Sequence, residues 1–147
     1  MSQKNLSTVL FLCTANFYRS RFAEFYFNAL ASTRGLRWRA ESRGLKLNLV
    51  DYGPIYHHTV SWLAHRGIAL PSNHRYPIPV EEDDLRAAHL IVAVKEAEHR
   101  PLLKLNFPAW AERVEYWHVH DLDFAMPDEA LPELAAKVEE LVNRLTS

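Results

Sequence analysis

Two short, uninterrupted apolar runs, Thr8-Val9-Leu10-Phe11-Leu12 and His89-Leu90-Ile91-Val92-Ala93-Val94, most constrain how this chain can fold. Neither alternates with polar residues, as a strand with one wet face would, so both read as strands covered on both sides. Between and after them the period changes. From Ser20, residues Phe22, Ala23, Phe25, Tyr26, Ala29 and Leu30 recur at three- and four-residue spacing, and Gly35 ends that helix. Leu36–Glu41 reads as a second strand. Pro54 opens a helix carrying Ile55, Val60, Trp62, Leu63 and Ala64 and closed by Gly67, and the three prolines of Leu70–Pro79 make an irregular loop. Glu81–Ala87 reads as a short helix and Glu96–Leu105 as the helix after the second apolar run. Arg113–Val119 is a fourth strand, and Glu129–Leu145 a final amphipathic helix through Leu131, Leu134, Val138, Leu141, Val142 and Leu145. Strands alternating with helices give an α/β fold of three layers, α/β/α, with a four-stranded parallel sheet and helices on both faces. Ligands in such folds sit beyond the C-terminal ends of the strands, where Cys13 falls and where Asp121 follows the fourth strand.

The chain of 147 residues has the length of one ordinary domain, expected over 1–147, with volume for a real core. It is 48% hydrophobic and 24% charged, the balance of a globular protein. No apolar run approaches the ~20 residues of a membrane helix, and Met1-Ser2-Gln3-Lys4-Asn5 lacks the apolar stretch of an export signal. One cysteine excludes an internal disulfide framework. The expected compartment is the cytoplasm, with no membrane partner. A net charge of −1 gives no footing for nucleic acid. The distribution is uneven, however: residues 1–50 hold eight Lys/Arg against Glu24 and Glu41, and the remainder nine bases against sixteen acids. A basic N-terminal third suits an anionic substrate if the fold gathers its arginines on one face; otherwise Arg34, Arg37 and Arg39 are a solvated turn and strand edge.

Cys13 and Arg19 bracket Thr14, Ala15, Asn16, Phe17 and Tyr18 between a buried strand and a helix start, with Ser20 next. A loop this short, feeding a helix N-terminus, can turn several backbone N–H groups toward a tetrahedral dianion, and the helix macrodipole adds positive potential there. Arg19 supplies a planar fork for two phosphoryl oxygens. A thiol is a nucleophile as its thiolate, and a helix N-terminus, an arginine and an amide cradle all favour that form. Attack on phosphorus would give a phosphocysteine that water later releases. His118 and His120 share a strand face, but without a third ligand no metal site is expected. His57-His58 reads as surface, and Ser42 and Arg43 as strand-end residues.

Val9-Leu10-Phe11-Leu12-Cys13, Asn16, Arg19-Ser20 and Ala23-Glu24 resemble the opening of the low-molecular-weight protein tyrosine phosphatases, in an arsenate-reductase-like fold. Glu41-Ser42-Arg43-Gly44, the His89–Val94 run and Trp117 to Asp121 extend the likeness along nearly the whole chain. The resemblance implies strand order 2-1-3-4 and a cysteine-dependent phosphomonoester hydrolase acting on phosphotyrosine. Cys13 would be its nucleophile, Arg19 would grip phosphate, Ser20 would hydrogen-bond the thiolate and Asn16 would brace the loop. It further implies Asp121 as general acid, with Asp123 its rival, and Phe124 as an aromatic wall. The implied partners are a phosphorylated protein or a small aryl phosphate, with phosphate, sulfate or vanadate able to occupy the site. No cofactor is implied, and the chain would be a monomer or weak dimer.

The chain departs from the family pattern at several points. Ala15 stands where the family has glycine, a strained choice if φ is positive there. Tyr18 replaces a second cysteine and Arg21 a proline, and Asp121 has no proline after it. Three other readings therefore stand beside hydrolysis. Arsenate reduction needs two further cysteines that are absent. A phosphate-binding or regulatory module with little or no turnover is the second. A phosphotransfer protein with a phosphocysteine and no general acid is the third.

Overall fold

Strand β1 (Ser7–Cys13) is flanked on both edges, by β2 (Trp38–Gly44) and by β3 (Leu90–Ala93), and β4 (Glu115–Tyr116) pairs with β3. All three pairings are parallel, and among the described residues the sheet runs β2-β1-β3-β4. The structure is a computed structural model that describes residues 6–47, 53–70, 74–119 and 127–146. Its helices are α1 (Arg19–Arg34), α2 (His57–His65), α3 (Glu82–Ala87), α4 (Glu96–Asn106) and α5 (Pro127–Thr146), with a short 3-10 turn at Ala111–Arg113.

The uninterrupted run of β1 is explained by what covers it. Val9, Phe11 and Cys13 point into one core with Phe22, Phe27, Val138, Leu141 and Val142 of α1 and α5. Leu10 and Leu12 point into a second core with Leu85 of α3 and Leu103 of α4. Each large apolar side chain so buried contributes roughly 1.5–3 kcal/mol, which favours an interior place for this strand. None of the helices among the described residues is long and apolar enough to cross a membrane.

Several element ends differ from the sequence expectation. β2 begins at Trp38 and continues through Ser42 and Gly44, beyond the expected Glu41. Its inward residues are Ala40, Ser42 and Gly44, so its buried face is marked by small size and not by hydrophobicity. Asn28 of α1 holds Ala40 by its backbone N–H and C=O, at 2.8 and 3.2 Å, closing part of this edge strand. α2 starts at His57, three residues after Pro54. β4 is two residues long inside the expected Arg113–Val119, with His118 bridging to Lys95 beyond it. α5 starts at Pro127, since a residue without an N–H costs nothing in the first turn.

Among the described residues, the basic residues of the first fifty positions are not gathered on one face. Arg19 and Arg21 are buried at the C-terminal end of β1. Arg34, Arg37 and Arg39 are exposed near the opposite end of the sheet, where Trp38 pairs with Ser7. They are the solvated turn and strand edge of the alternative reading.

Candidate active site

The loop from Cys13 to Ser20 joins the end of β1 to the start of α1. Its carbonyls turn outward: Cys13 and Thr14 accept from Leu45 and Lys46 N–H at 2.9 Å each, and Phe17 accepts from Tyr56 N–H at 3.0 Å. In a trans peptide the next residue's N–H points opposite to the carbonyl, so the amides of Thr14, Ala15 and Tyr18 face away from these neighbours. The first turn of α1 carries no acid, leaving the positive end of the helix dipole uncompensated by a carboxylate of its own helix. Gly44 allows the close approach of β2. A Cβ there would lie 2.9 Å from the Thr14 carbonyl oxygen and 3.1 Å from Asn16 Cβ.

Cys13 Sγ lies 2.9 Å from Ser20 Oγ, and the thiol is buried. Ser20 is held in turn by Asn16, whose Nδ2 donates to Ser20 Oγ at 2.7 Å and to Ser42 Oγ at 3.0 Å. Asn16 Oδ1 accepts from Arg75 Nη1 at 3.0 Å and from Ile78 N–H at 3.1 Å. Both amide hydrogens and both lone pairs of this fully buried side chain are thus used. Asn16 has φ +54°, the only positive φ outside glycine among the described residues. The strain foreseen at Ala15 is therefore absent: the left-handed residue is the next one, an asparagine, which tolerates that region well.

Ser42, expected to be an ordinary strand end, belongs to this network. Its hydroxyl donates to Glu24 Oε1 at 2.5 Å, and Arg75 Nη2 reaches Ser42 O at 3.0 Å and Glu24 Oε1 at 3.4 Å. Burial pushes the Glu24 carboxyl above its ordinary range, opposed by the Ser42 hydroxyl and by Arg75. Arg21 replaces the family's proline usefully: its Nη1 donates to Pro54 O at 2.8 Å and Arg75 O at 3.0 Å. Burial, and Arg75 close by, push its guanidinium down to about 10.

Arg19 is 2% exposed; its Nη2 meets Glu98 Oε1 at 3.0 Å and its Nη1 meets the Val119 carbonyl at 3.2 Å. The same Glu98 oxygen accepts the Thr14 hydroxyl. Lys95 N–H donates to His99 Nδ1 at 3.1 Å, which leaves the ring proton on Nε2, facing Thr14 Oγ1 at 3.2 Å. Burial, and then Arg19, push His99 down to about 3, so it is neutral. Burial alone would raise Glu98, but the Thr14 hydroxyl and Arg19 outweigh it and hold the carboxyl below its ordinary value.

A consequence for stability follows from His99. Unfolded, it takes up a proton near 6.5; folded, only near 3. Between those values the unfolded state binds more protons, so stability is lost as the pH is lowered from about 6.5 toward 3, by about 1.4 kcal/mol per unit from this residue. His99→Gln keeps a donor and an acceptor without titrating. Urea unfolding from pH 7 to 4 is expected to show a shallower loss for the variant, and parallel curves would contradict the assignment.

Phe17 and Tyr18 both touch Tyr56, with ring centroids 5.8 and 5.2 Å apart, but only Phe17 is part-exposed; Tyr18 belongs to the core. His57 and His58 are exposed. Asp121, Asp123, Phe124 and His120 lie outside the described residues. The structure thus brings together Cys13, Thr14, Asn16, Arg19 and Ser20, and adds Glu24, Ser42, Arg75, Glu98 and His99, to which sequence reading assigned no role in the site. Glu24 had a signal in the Ala23-Glu24 pair of the motif. Arg75 had none, lying in an irregular loop delivered by the pairing of Pro79 with Gly44.

Residues 8–146 match the family model described as low molecular weight phosphotyrosine protein phosphatase. The chain is 29% identical over 106 residues to a Bacillus subtilis protein-arginine-phosphatase, across 72% of this chain and 67% of that protein. Among solved structures it is similar to a low molecular weight protein tyrosine phosphatase from T. tengcongensis, with a TM-score of 0.75, 29% identity, and 95% and 97% of the two chains covered. YfkJ from Bacillus subtilis superposes with a TM-score of 0.82 at 23% identity, over 95% and 94% of the chains, a likeness of fold. With nearly its whole length matched, this chain belongs to the low molecular weight phosphotyrosine protein phosphatase family.

Proposed function

We propose that this phosphatase is a protein tyrosine phosphatase that works through a phosphocysteine on Cys13. The observation that carries the reading is one loop holding Cys13 Sγ 2.9 Å from a hydroxyl, with a buried arginine at the first residue of the following helix. Membership of the family supports it. In the first step the Cys13 thiolate attacks phosphorus, the bond from phosphorus to the leaving oxygen breaks, and that oxygen takes a proton from a carboxylic acid. Water then attacks phosphorus while giving a proton to that carboxylate, which restores the acid, the S–P bond breaks, and thiolate and inorganic phosphate are released. Arg19 and the loop amides hold the equatorial oxygens throughout. Ser20 donates to the thiolate, and the Asn16 network holds Ser20. Asp121 is the proposed acid, with Asp123 the alternative, and Phe124 is the proposed aromatic wall. The part-exposed ring of Phe17, backed by Tyr56, suits an aryl ester. The substrate is a phosphorylated protein or a small aryl phosphate.

One observation favours a second substrate class. Glu98 is an ionised carboxylate bonded to Thr14 and Arg19, and such a group attracts a cationic guanidinium as a phenol would not. Phosphoarginine is therefore the alternative, in keeping with the name of the Bacillus subtilis relative. Peptides bearing phosphotyrosine or phosphoarginine, assayed side by side under reducing conditions, separate the two. The phosphotyrosine reading expects kcat/KM at least tenfold higher on the aryl ester; the reverse order would replace it with the phosphoarginine reading.

A further inference from the structure

Arg19 is buried among donors and acceptors that must orient a planar group, and the strongest of these is a carboxylate that the phosphate chemistry does not itself require. Glu98 stands in the first turn of α4, across the sheet from α1, and one of its oxygens receives both Arg19 Nη2 and the Thr14 hydroxyl. A carboxylate this near an anion site repels the ligand that the site is built to take. Its presence is useful only if the geometry it imposes matters more than the repulsion.

The surrounding hydrogen bonds have a fixed sense. The Lys95 N–H, at the N-cap of α4, donates to His99 Nδ1. Neutral His99 then presents Nε2–H to Thr14 Oγ1, so the Thr14 hydroxyl has its own proton left for Glu98. The chain ends on Arg19, whose other terminal nitrogen is fixed by the Val119 carbonyl. Two residues of the phosphate loop, the second and the last of its Cys-to-Arg span, are thus tied through one oxygen to the start of α4.

We infer that Glu98 is a positioning residue, which holds the Arg19 guanidinium and the Thr14 end of the loop in the arrangement that fits the transition state of phosphoryl transfer. This rests on the phosphatase reading above. Glu98 touches no reacting atom in this scheme; it acts through Arg19 and Thr14. Fixed donors favour the trigonal-bipyramidal transition state over the tetrahedral ground state, because only the former needs them in one geometry. Removing the charge should relieve repulsion of a ground-state anion while loosening the fork.

The test is Glu98→Gln, which keeps size and an acceptor but loses the charge. Affinities for vanadate, which adopts the trigonal-bipyramidal form, and for inorganic phosphate are measured by equilibrium binding, alongside p-nitrophenyl phosphate turnover. The expected result is a kcat lower by about 10- to 100-fold and a ratio of vanadate to phosphate affinity lower by at least fivefold, with phosphate bound as tightly as before or more so. An unchanged ratio would overturn the inference, even if kcat and thermal stability fell, because a merely structural residue would weaken both ligands alike. If Glu98→Gln does not fold, Glu98→Asp, which withdraws the charge by one methylene, is held to the same ratio. Absence of turnover in the wild type would contradict the phosphatase reading and leave the binding ratio to decide Glu98, so the two fail separately.

Discussion

Cys13→Ser is expected to lower p-nitrophenyl phosphate turnover at least about 10,000-fold while leaving phosphate binding within threefold of the wild type. The size follows from chemistry: replacing a thiolate by an alcohol removes the nucleophile, and losses of this kind run to several orders of magnitude. Binding is expected to survive because the proposed anion donors, Arg19 and the amides of the loop, are untouched. Serine is nearly isosteric, and the 2.9 Å contact with Ser20 becomes an ordinary hydroxyl pair. Steady-state kinetics and phosphate titration on the same preparation check both halves. Turnover within tenfold of the wild type would remove Cys13 from the mechanism.

Arg19→Lys is the second large effect, expected at roughly 100- to 1,000-fold in kcat/KM, the range found when one oxyanion donor is lost. Here charge is conserved and only geometry changes. Arginine presents a rigid fork with five donors, so that its two terminal nitrogens can meet Glu98 and the Val119 carbonyl and the same planar group can still offer N–H donors to two phosphoryl oxygens. A lysine ammonium is a point on a flexible stem: bonded to Glu98 it cannot also span two phosphoryl oxygens. Phosphate affinity should weaken too, by roughly tenfold, in contrast to Cys13→Ser. A lysine variant with wild-type kcat/KM would mean that positive charge alone suffices at this position. Circular dichroism melting accompanies the assay, since a fully buried cation with a displaced partner is also destabilising.

The alternation of strands and helices and the junction holding Cys13 are legible because each rests on local periodicity, whereas the strand order β2-β1-β3-β4 follows from the family resemblance and not from any window of sequence. The run of β1 could not be a half-wet strand, and the structure covers it on both faces. β2 was read three residues short because its inward residues, Ala40, Ser42 and Gly44, are small and polar enough to look like a turn. They are small to admit Glu24, the loop and Asn16, a tertiary requirement that no window of sequence displays. The braces of the site were hidden for the same reason. Glu98 and His99 look like ordinary first-turn residues of a helix, and Arg75 sits in a loop without period; each meets the site through chain separations of 33 to 85 residues. Ala15 shows the opposite error, where a family pattern pointed to strain one residue before the left-handed position occupied by Asn16.

The most direct test of the central claim is to catch the phosphoryl group on Cys13. Turnover of p-nitrophenyl phosphate by the wild type, quenched rapidly in denaturant, would be followed by 31P NMR and by peptide mapping. A phosphorus resonance in the thiophosphate-ester region, together with one added phosphoryl group on the peptide containing Cys13, is the predicted result. Steady turnover with no phosphoryl group on that peptide, or with the group on another residue, would contradict it.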